Sequence, residues 1–333
     1  MLLSVAFFFN FKQAPLIEEK WTENTPVYEV LKALGESPYK HDIALNDLKV
    51  KQGEELVKLG RTALGRKRTS SYISKYYACT SCHNLEQEDP DLRFSNPDTR
   101  LGYVKEKGIP FLQATTFKGV TNRESWYNDD YVEKYGAKKI AEARSDLRAA
   151  IQLCAVECAQ GRSLKKWEEE AILSYLWSLQ FNLGDLDLSS NDLKRLNTES
   201  TDSNKKESLR LWLKTFYAAY SPAHFNDTPS SKEEGYKGLT GNAENGKNIY
   251  ELSCLHCHKD GGVSHYTLDN SILSFRDLER TIPKNSHFSL YQIVAYGTYA
   301  IPGHKPYMPH FPIERMSKQQ IEDLRAYIEL KAN

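Results

Sequence analysis

Two five-residue stretches hold the residues whose types and spacing can do chemistry: Cys79-Thr80-Ser81-Cys82-His83 and Cys254-Leu255-His256-Cys257-His258. Each reads C-x-x-C-H. Two thiols at this spacing can add across the vinyl groups of a porphyrin and form thioethers. The histidine that follows is then held under the ring, where a nitrogen meets the iron. This is the attachment pattern of a c-type haem. The rival is zinc, but a structural zinc site takes four Cys and His ligands together, and here each pair stands alone with its own histidine. A thioredoxin-like redox pair needs a βαβ context, and none is apparent. The expectation is two covalently bound haem c groups. Cys79, Cys82, Cys254 and Cys257 are the bonded residues, and His83 and His258 are ligands to the two irons.

Each iron has a second axial position. Methionine there raises the potential, whereas a cysteine thiolate pushes electron density onto the metal. Methionine occurs only at positions 1, 308 and 316. Met308 stands between Tyr307 and Pro309, in a loop predicted over 303–311, and is the expected distal ligand of the second haem. Met316 competes with it, His304 and His310 flank it, and a methionine that merely fills a core gap is the bland alternative. The first half offers no methionine, so its distal ligand must be something else or absent. Cys154 and Cys158 are its spare thiols. Either is at home as a buried free cysteine, and α-helical spacing excludes a disulfide between them. Side chains four apart on an α-helix have Cβ atoms ~5–6 Å apart, and a disulfide requires about 3.5–4.5 Å. Cys154 is expected to bind the first iron, with Cys158 the alternative and His41 next.

The chain has 333 residues, with 44 Lys+Arg balanced by 44 Asp+Glu. Zero net charge argues against nucleic-acid binding. No apolar run approaches the ~20 residues of a membrane helix. Residues 1–50 read as an apolar N-terminal segment and lead-in. Within it, Leu2–Phe9 is either the apolar part of a secretory signal or a small hydrophobic arm, and no basic stretch precedes it. Helices are predicted over 53–63, leading toward the first motif, and over 137–159, where Ile140, Leu147, Ile151, Cys154 and Cys158 share one face and Gly161 caps the end. Another is predicted over 167–179. The long stretch 84–136 between them is expected to wrap the first haem. Residues 184–206 are polar and read as a linker, followed by an apolar helix over 207–220. A helix over 245–252 enters the second motif. A closing helix over 317–330 opens with a capping box at Ser317 and Gln320.

The order of helix, haem motif, loop and closing helix resembles a cytochrome c domain in each half. The expected fold is mainly α, with two fused cytochrome c-like helical domains and long loops. The first spans 51–183 and the second 241–333, joined by a linker with one helix over 184–240.

Further residues carry a narrower resemblance. The run Ile151-Gln152-Leu153-Cys154, then Gly161-Arg162-Ser163-Leu164 and Glu170-Ala171-Ile172-Leu173-Ser174-Tyr175-Leu176, resembles the thiosulfate dehydrogenases, periplasmic di-haem c cytochromes. The resemblance covers most of 53–330, and only the haem motifs in it are specific. It implies His/Cys ligation at the first, active-site haem through His83 and Cys154, and His/Met ligation at the second through His258 and Met308. The family has an Arg-Ser pair where this chain has Glu157 and Cys158, and an arginine where it has Ala150. Arg144, Arg148, Arg162 and Lys118 are then the cations left to meet a substrate anion, and Glu157 opposes one.

Three functions follow as expectations. The first is an exported, extracytoplasmic or periplasmic cytochrome that passes electrons from haem 1 to haem 2 and on to a redox partner protein. The second is an oxidoreductase of the thiosulfate dehydrogenase type, acting on a small sulfur anion with Cys154 as catalytic residue. The third is a haem-bearing subunit docked on a respiratory complex.

Overall fold

The structure, a computed structural model, describes residues 20–284, 288–298 and 307–333. Leu2–Phe9, His304 and the first residues of the 303–311 loop lie outside these. Among the described residues the chain is α-helical with no β-sheet. Its strand-like pairings are isolated bridges such as Ala63 with Thr69. No described helix is long and apolar enough to cross a membrane.

After α1 (Val27–Ala33), α2 (Asp47–Leu59) begins at Asn46, whose side chain accepts from the Lys49 N–H, and ends at Gly60 in the left-handed region. Both ends follow ordinary capping chemistry. A loop leads to a 3-10 turn, Cys79–Ser81, that carries the first motif. The stretch 84–136 contains α3 (Pro97–Lys107) and α4 (Asp130–Tyr135).

The helix predicted over 137–159 forms as three pieces: α5 (Ala137–Ser145), α6 (Leu147–Leu153) and a π turn, Cys154–Cys158. The break falls at Asp146, which takes an extended backbone and accepts from the Arg148 N–H. A short acidic side chain competes for backbone donors in this way and favours a cap over a helix interior. Gly161 is not the cap. The left-handed residue is Gln160, and Gly161 instead lets the chain pass close to Ile73, whose carbonyl would sit 2.5 Å from an added Cβ.

Beyond α7 (Lys166–Ser178), the predicted linker folds. Ser189 and Asp192 form a capping box that starts α8 (Ser190–Glu199), and α9 (Lys206–Leu213) follows. Leu196, Leu209 and Leu213 pack with Trp21, Val30 and Leu31 in an apolar cluster of their own. The last region holds α10 (Ala243–Ile249), a π turn running into α11 (Leu255–His258), then α12 (Ile272–Glu279), α13 (Leu290–Tyr296) and α14 (Lys318–Ala332). Ser317 and Gln320 form the predicted capping box.

One packing device occurs twice. In the first region α2 crosses α7, and in the last α10 crosses α14. At each crossing a glycine lets the backbones meet. A Cβ on Gly53 would lie 1.9 Å from the Ala171 carbonyl oxygen and 2.8 Å from Tyr175 Cβ. A Cβ on Gly246 would lie 1.9 Å from the Asp323 carbonyl oxygen and 2.8 Å from Tyr327 Cβ. Any larger residue would push the helices apart. One apolar cluster surrounds each crossing.

α3 belongs with the second of these clusters. Leu101, Val104 and Phe111 pack among Ile249, Tyr291 and Leu324, and the Phe111 N–H donates to the Leu252 carbonyl (3.0 Å). Charge secures the same contact. Glu88 and Arg315, both about 1 % exposed, pair at 2.5 Å, and Arg100 lies beside them with its Nη1 donating to the Arg315 carbonyl (3.0 Å). The two glycine crossings are thus clamped together by a buried ion cluster.

Candidate functional site

A cavity with about 1480 Å³ of non-atom space, part of it open to solvent, lies beside the α2–α7 crossing. Leu56, Ile73, Trp126, Ile151, Ile172 and Leu176 make much of its wall apolar. Cys79, Cys82, His83, Cys154 and Cys158 all face it. Two segments far apart in sequence, the first motif and the Cys154–Cys158 turn, thus bring four thiols and His83 to a single space. Among the described residues no Asp or Glu lines it.

His83 is held in one orientation. Its Nδ1 lies 2.6 Å from the Thr115 carbonyl oxygen, and its ring stacks on Phe117 at 4.2 Å between centroids. A carbonyl only accepts, so Nδ1 carries the proton and Nε2 keeps its lone pair. Burial lowers the pKa to about 4, so the ring is a neutral base at neutral pH. Metal-binding histidines are oriented by this kind of second partner.

The last region repeats the device. His258 Nδ1 lies 2.7 Å from the Tyr266 carbonyl oxygen, and burial again lowers the ring's pKa. Cys254 packs against the second apolar cluster, as does Met308. Met308 is fixed by its backbone, which accepts from the Thr298 N–H and donates to the Thr298 hydroxyl (both 2.8 Å). Met316 is 1 % exposed inside the core.

The two motifs meet. Cys257 Sγ lies 3.9 Å from the Ser81 carbonyl oxygen, and His256 hydrogen-bonds the Thr80 backbone. Beside this contact the Tyr77 hydroxyl donates to the Tyr307 carbonyl. The short segment from Tyr307 to His310 serves both regions. Tyr307, Pro309 and His310 line the first cavity, while Met308 turns to the second cluster.

The far wall of the first cavity is polar and rich in tyrosine. The π turn places Cys154 and Cys158 there, and π turns recur at functional positions. Cys158 Sγ lies 3.5 Å from the Tyr135 hydroxyl and 3.9 Å from that of Tyr127. The neighbouring Cys154 thiol, together with those hydroxyls, lowers the pKa of Cys158 against the effect of burial, and the pKa of Cys154 is raised. Lys134 Nζ donates to His310 Nδ1 (3.3 Å), so His310 Nε2 carries the ring proton and faces the Tyr131 hydroxyl at 3.5 Å. His310 thus belongs to the first cavity.

His41 does not reach the cavity. It is 3 % exposed, stacked on Tyr39 and Trp177, with Nε2 2.9 Å from the Thr121 carbonyl oxygen. The four cations expected to meet an anion are all engaged elsewhere: Lys118 with Asp185, Arg144 with Asp129, Arg148 with Glu169 and Arg162 with Glu168. Glu157 pairs with Lys139 at 2.5 Å and is not part of the wall. The cation that does line the cavity is Arg123, whose Nη1 donates to the Thr115 hydroxyl (3.0 Å). Burial brings its pKa down to about 10. No spacing rule picks out Arg123, because it comes from a loop and reaches the wall only through the fold.

Comparison with known families matches residues 241–328 to cytochrome c oxidase, cbb3-type, subunit III. Residues 241–328 are a cytochrome-associated domain. The matched segment holds the α10–α14 crossing, the second C-x-x-C-H motif and Met308. No curated protein and no solved structure matches the chain.

Proposed function

We propose that the chain is an extracytoplasmic di-haem c-type cytochrome that moves electrons between two unlike sites in fused cytochrome c-like domains, over about 51–183 and 241–333. The observation that carries this is the repeated pair of devices. Each C-x-x-C-H motif stands beside a glycine-mediated helix crossing, and each motif histidine has Nδ1 tied to a carbonyl with Nε2 left to bind a metal. The donor set fits haem. Thiols are at the cavity wall for thioether bonds, and much of the rest of the wall is apolar. Among the described residues no three His, Cys, Asp or Glu side chains converge as a metal-ion cluster of the zinc kind. Haem supplies reversible one-electron chemistry when bound.

In this reading Cys79 and Cys82 hold the first group and Cys254 and Cys257 the second. His83 and His258 orient them from one side. Cys154 offers sulfur from the other side of the first site, with Cys158 the alternative, and Met308 does so at the second. The first site is then the low-potential entry and the second the high-potential exit, since a thiolate and a thioether push the potential in opposite directions. The contact of Cys257 with Ser81 gives a short path between them, and the acceptor is a redox partner protein. A potentiometric titration of the haem-loaded protein tests this. Two well-separated couples are expected, and two equal potentials would remove the direction of flow.

A second reading is favoured by the far wall of the first cavity. Thiols and tyrosine hydroxyls, with no Asp or Glu among the described lining residues, make a place for a small sulfur anion to be oxidised, with Cys154 in direct contact. Turnover of thiosulfate with an artificial acceptor is expected to be lost in Cys154→Ala. No turnover by fully loaded wild-type protein counts against it. The family matched by 241–328 is named for an oxidase subunit, which supports a third role as a haem-bearing subunit docked on a respiratory complex. Co-purification with a membrane oxidase would favour that role.

A further inference from the structure

The far wall of the first cavity holds one thiol more than a single iron ligand requires. Cys154 and Cys158 are both free, share one turn and face the same space. The α-helical spacing that excludes a cross-link does not apply here. Their turn is a π turn, closed by the Ala159 N–H on the Cys154 carbonyl at 2.8 Å. It takes more residues than an α turn and rises less per residue, so positions four apart lie closer to one line. Both cysteines face the same cavity, and the Cys158 sulfur is placed there beside the Tyr135 and Tyr127 hydroxyls. A disulfide needs a Cβ separation of ~3.5–4.5 Å, and the π turn brings the two positions nearer to it than an α turn does.

We propose that Cys154 and Cys158 form a dithiol–disulfide couple, so that the first site takes electrons in pairs and releases them singly. Two S–H bonds break, one Sγ–Sγ bond forms and two protons leave to water. The two electrons go one each to a pair of one-electron ferric acceptors, which the reading above supplies as the two haem irons. Only the identity of those acceptors rests on that reading. The Tyr135 and Tyr127 hydroxyls, which hydrogen-bond Cys158, hold the sulfur in place for the step. The couple also controls ligation. A sulfur bound in the disulfide is no longer a thiolate, so the cross-linked and thiolate-ligated states of Cys154 exclude each other.

The experiment uses the haem-loaded protein under argon, reduced with dithionite or oxidised with ferricyanide, then denatured with an excess of a thiol alkylator and digested with trypsin. Both cysteines fall in one peptide, 149–162, which contains no other cysteine. The reduced sample is expected to carry two alkyl groups on this peptide. The oxidised sample is expected to carry none and to weigh two hydrogens less. Reductive titration of the oxidised protein is expected to take about four electron equivalents per chain in wild type, two for the haem irons and two for the disulfide, and about two in Cys158→Ser. Two alkyl groups in fully oxidised protein with both haems attached would overturn the proposal and leave the electron-transfer reading intact. Loss of that reading would show instead as missing haem absorbance. The wild-type peptide result stands whether or not the variant folds.

Discussion

The two C-x-x-C-H regions share a platform and differ in what faces it. Both use a glycine to bring two helices into backbone contact, and both fix a histidine by donating Nδ1–H to a carbonyl. The second motif continues directly from α10 through a π turn, and the Met308 thioether packs against its cluster. The first follows α2 only after a long loop, and its far wall is built from three sources: the π turn of Cys154–Cys158, the tyrosines of the α4 region, and Tyr307 and His310 from the last region. The difference teaches that the helix crossing is a general support. What each site can do is decided by the segment laid across it, and the first site is completed only when the two regions dock.

The largest expected effect separates the sites by attachment. Cys82→Ser and Cys257→Ser should each lower the haem content of the purified chain from two to one, and haem absorbance per chain measures it. If either variant lost both, the sites would not be independent. Met308→Ala comes next. It should lower the higher potential by on the order of a hundred millivolts, within the roughly 0.8 V that axial ligands span, and leave the lower couple in place. A shift in the lower couple instead would assign Met308 to the wrong site.

A third prediction concerns the clamp. Glu88 is buried; burial raises its pKa, but the charges of Arg315 and Arg100 and hydrogen bonds from Asn84 and the Thr116 N–H outweigh this and hold it below the usual carboxylate range. Glu88→Gln leaves the guanidiniums without their counter-charge and should cost about 3–5 kcal/mol at neutral pH. The sign with pH follows from the lowered pKa. The stabilisation is fully present above the unfolded value of 4.5 and is lost as pH falls through the folded value. Wild type and variant should therefore converge in thermal stability in acid. Separation of the melt into two transitions in the variant would show that this ion cluster joins the regions. The smallest effect is expected from Tyr77→Phe, which removes the hydrogen bond to the Tyr307 carbonyl and should cost about 1 kcal/mol, read as a small loss in melting temperature.

The helical character of the chain and the repeated order of helix, motif and closing helix were legible in the sequence, because apolar spacing and caps are local signals. Ser317 and Gln320 are an example. The polar stretch 184–206 misled because α8 buries a narrow face, with Leu196 its one buried residue, and its polar remainder reads as linker. The helix predicted over 137–159 overlooked Asp146 as a cap. The face shared by Cys154 and Cys158 is legible, but their π turn is not, since periodicity does not distinguish it from an α turn. Arg123, Lys134 and Tyr307 reach the first site only through tertiary contact. Nothing in their spacing marks them, whereas the cations named from the sequence, Arg144, Arg148, Arg162 and Lys118, are paired elsewhere.

The central claim is that this polypeptide carries two haem groups through thioether bonds and that sulfur meets their irons in different forms. The most direct test is a haem-to-chain ratio on the denatured, acid-extracted wild-type protein, produced with c-type haem maturation, followed by low-temperature electron paramagnetic resonance of the native oxidised form. Two non-extractable haems per chain are expected, with a His/Met low-spin signal beside a second, unlike one that has thiolate character only in chains where Cys154 and Cys158 are not cross-linked. A ratio of one or zero, or two identical signals, would contradict the account.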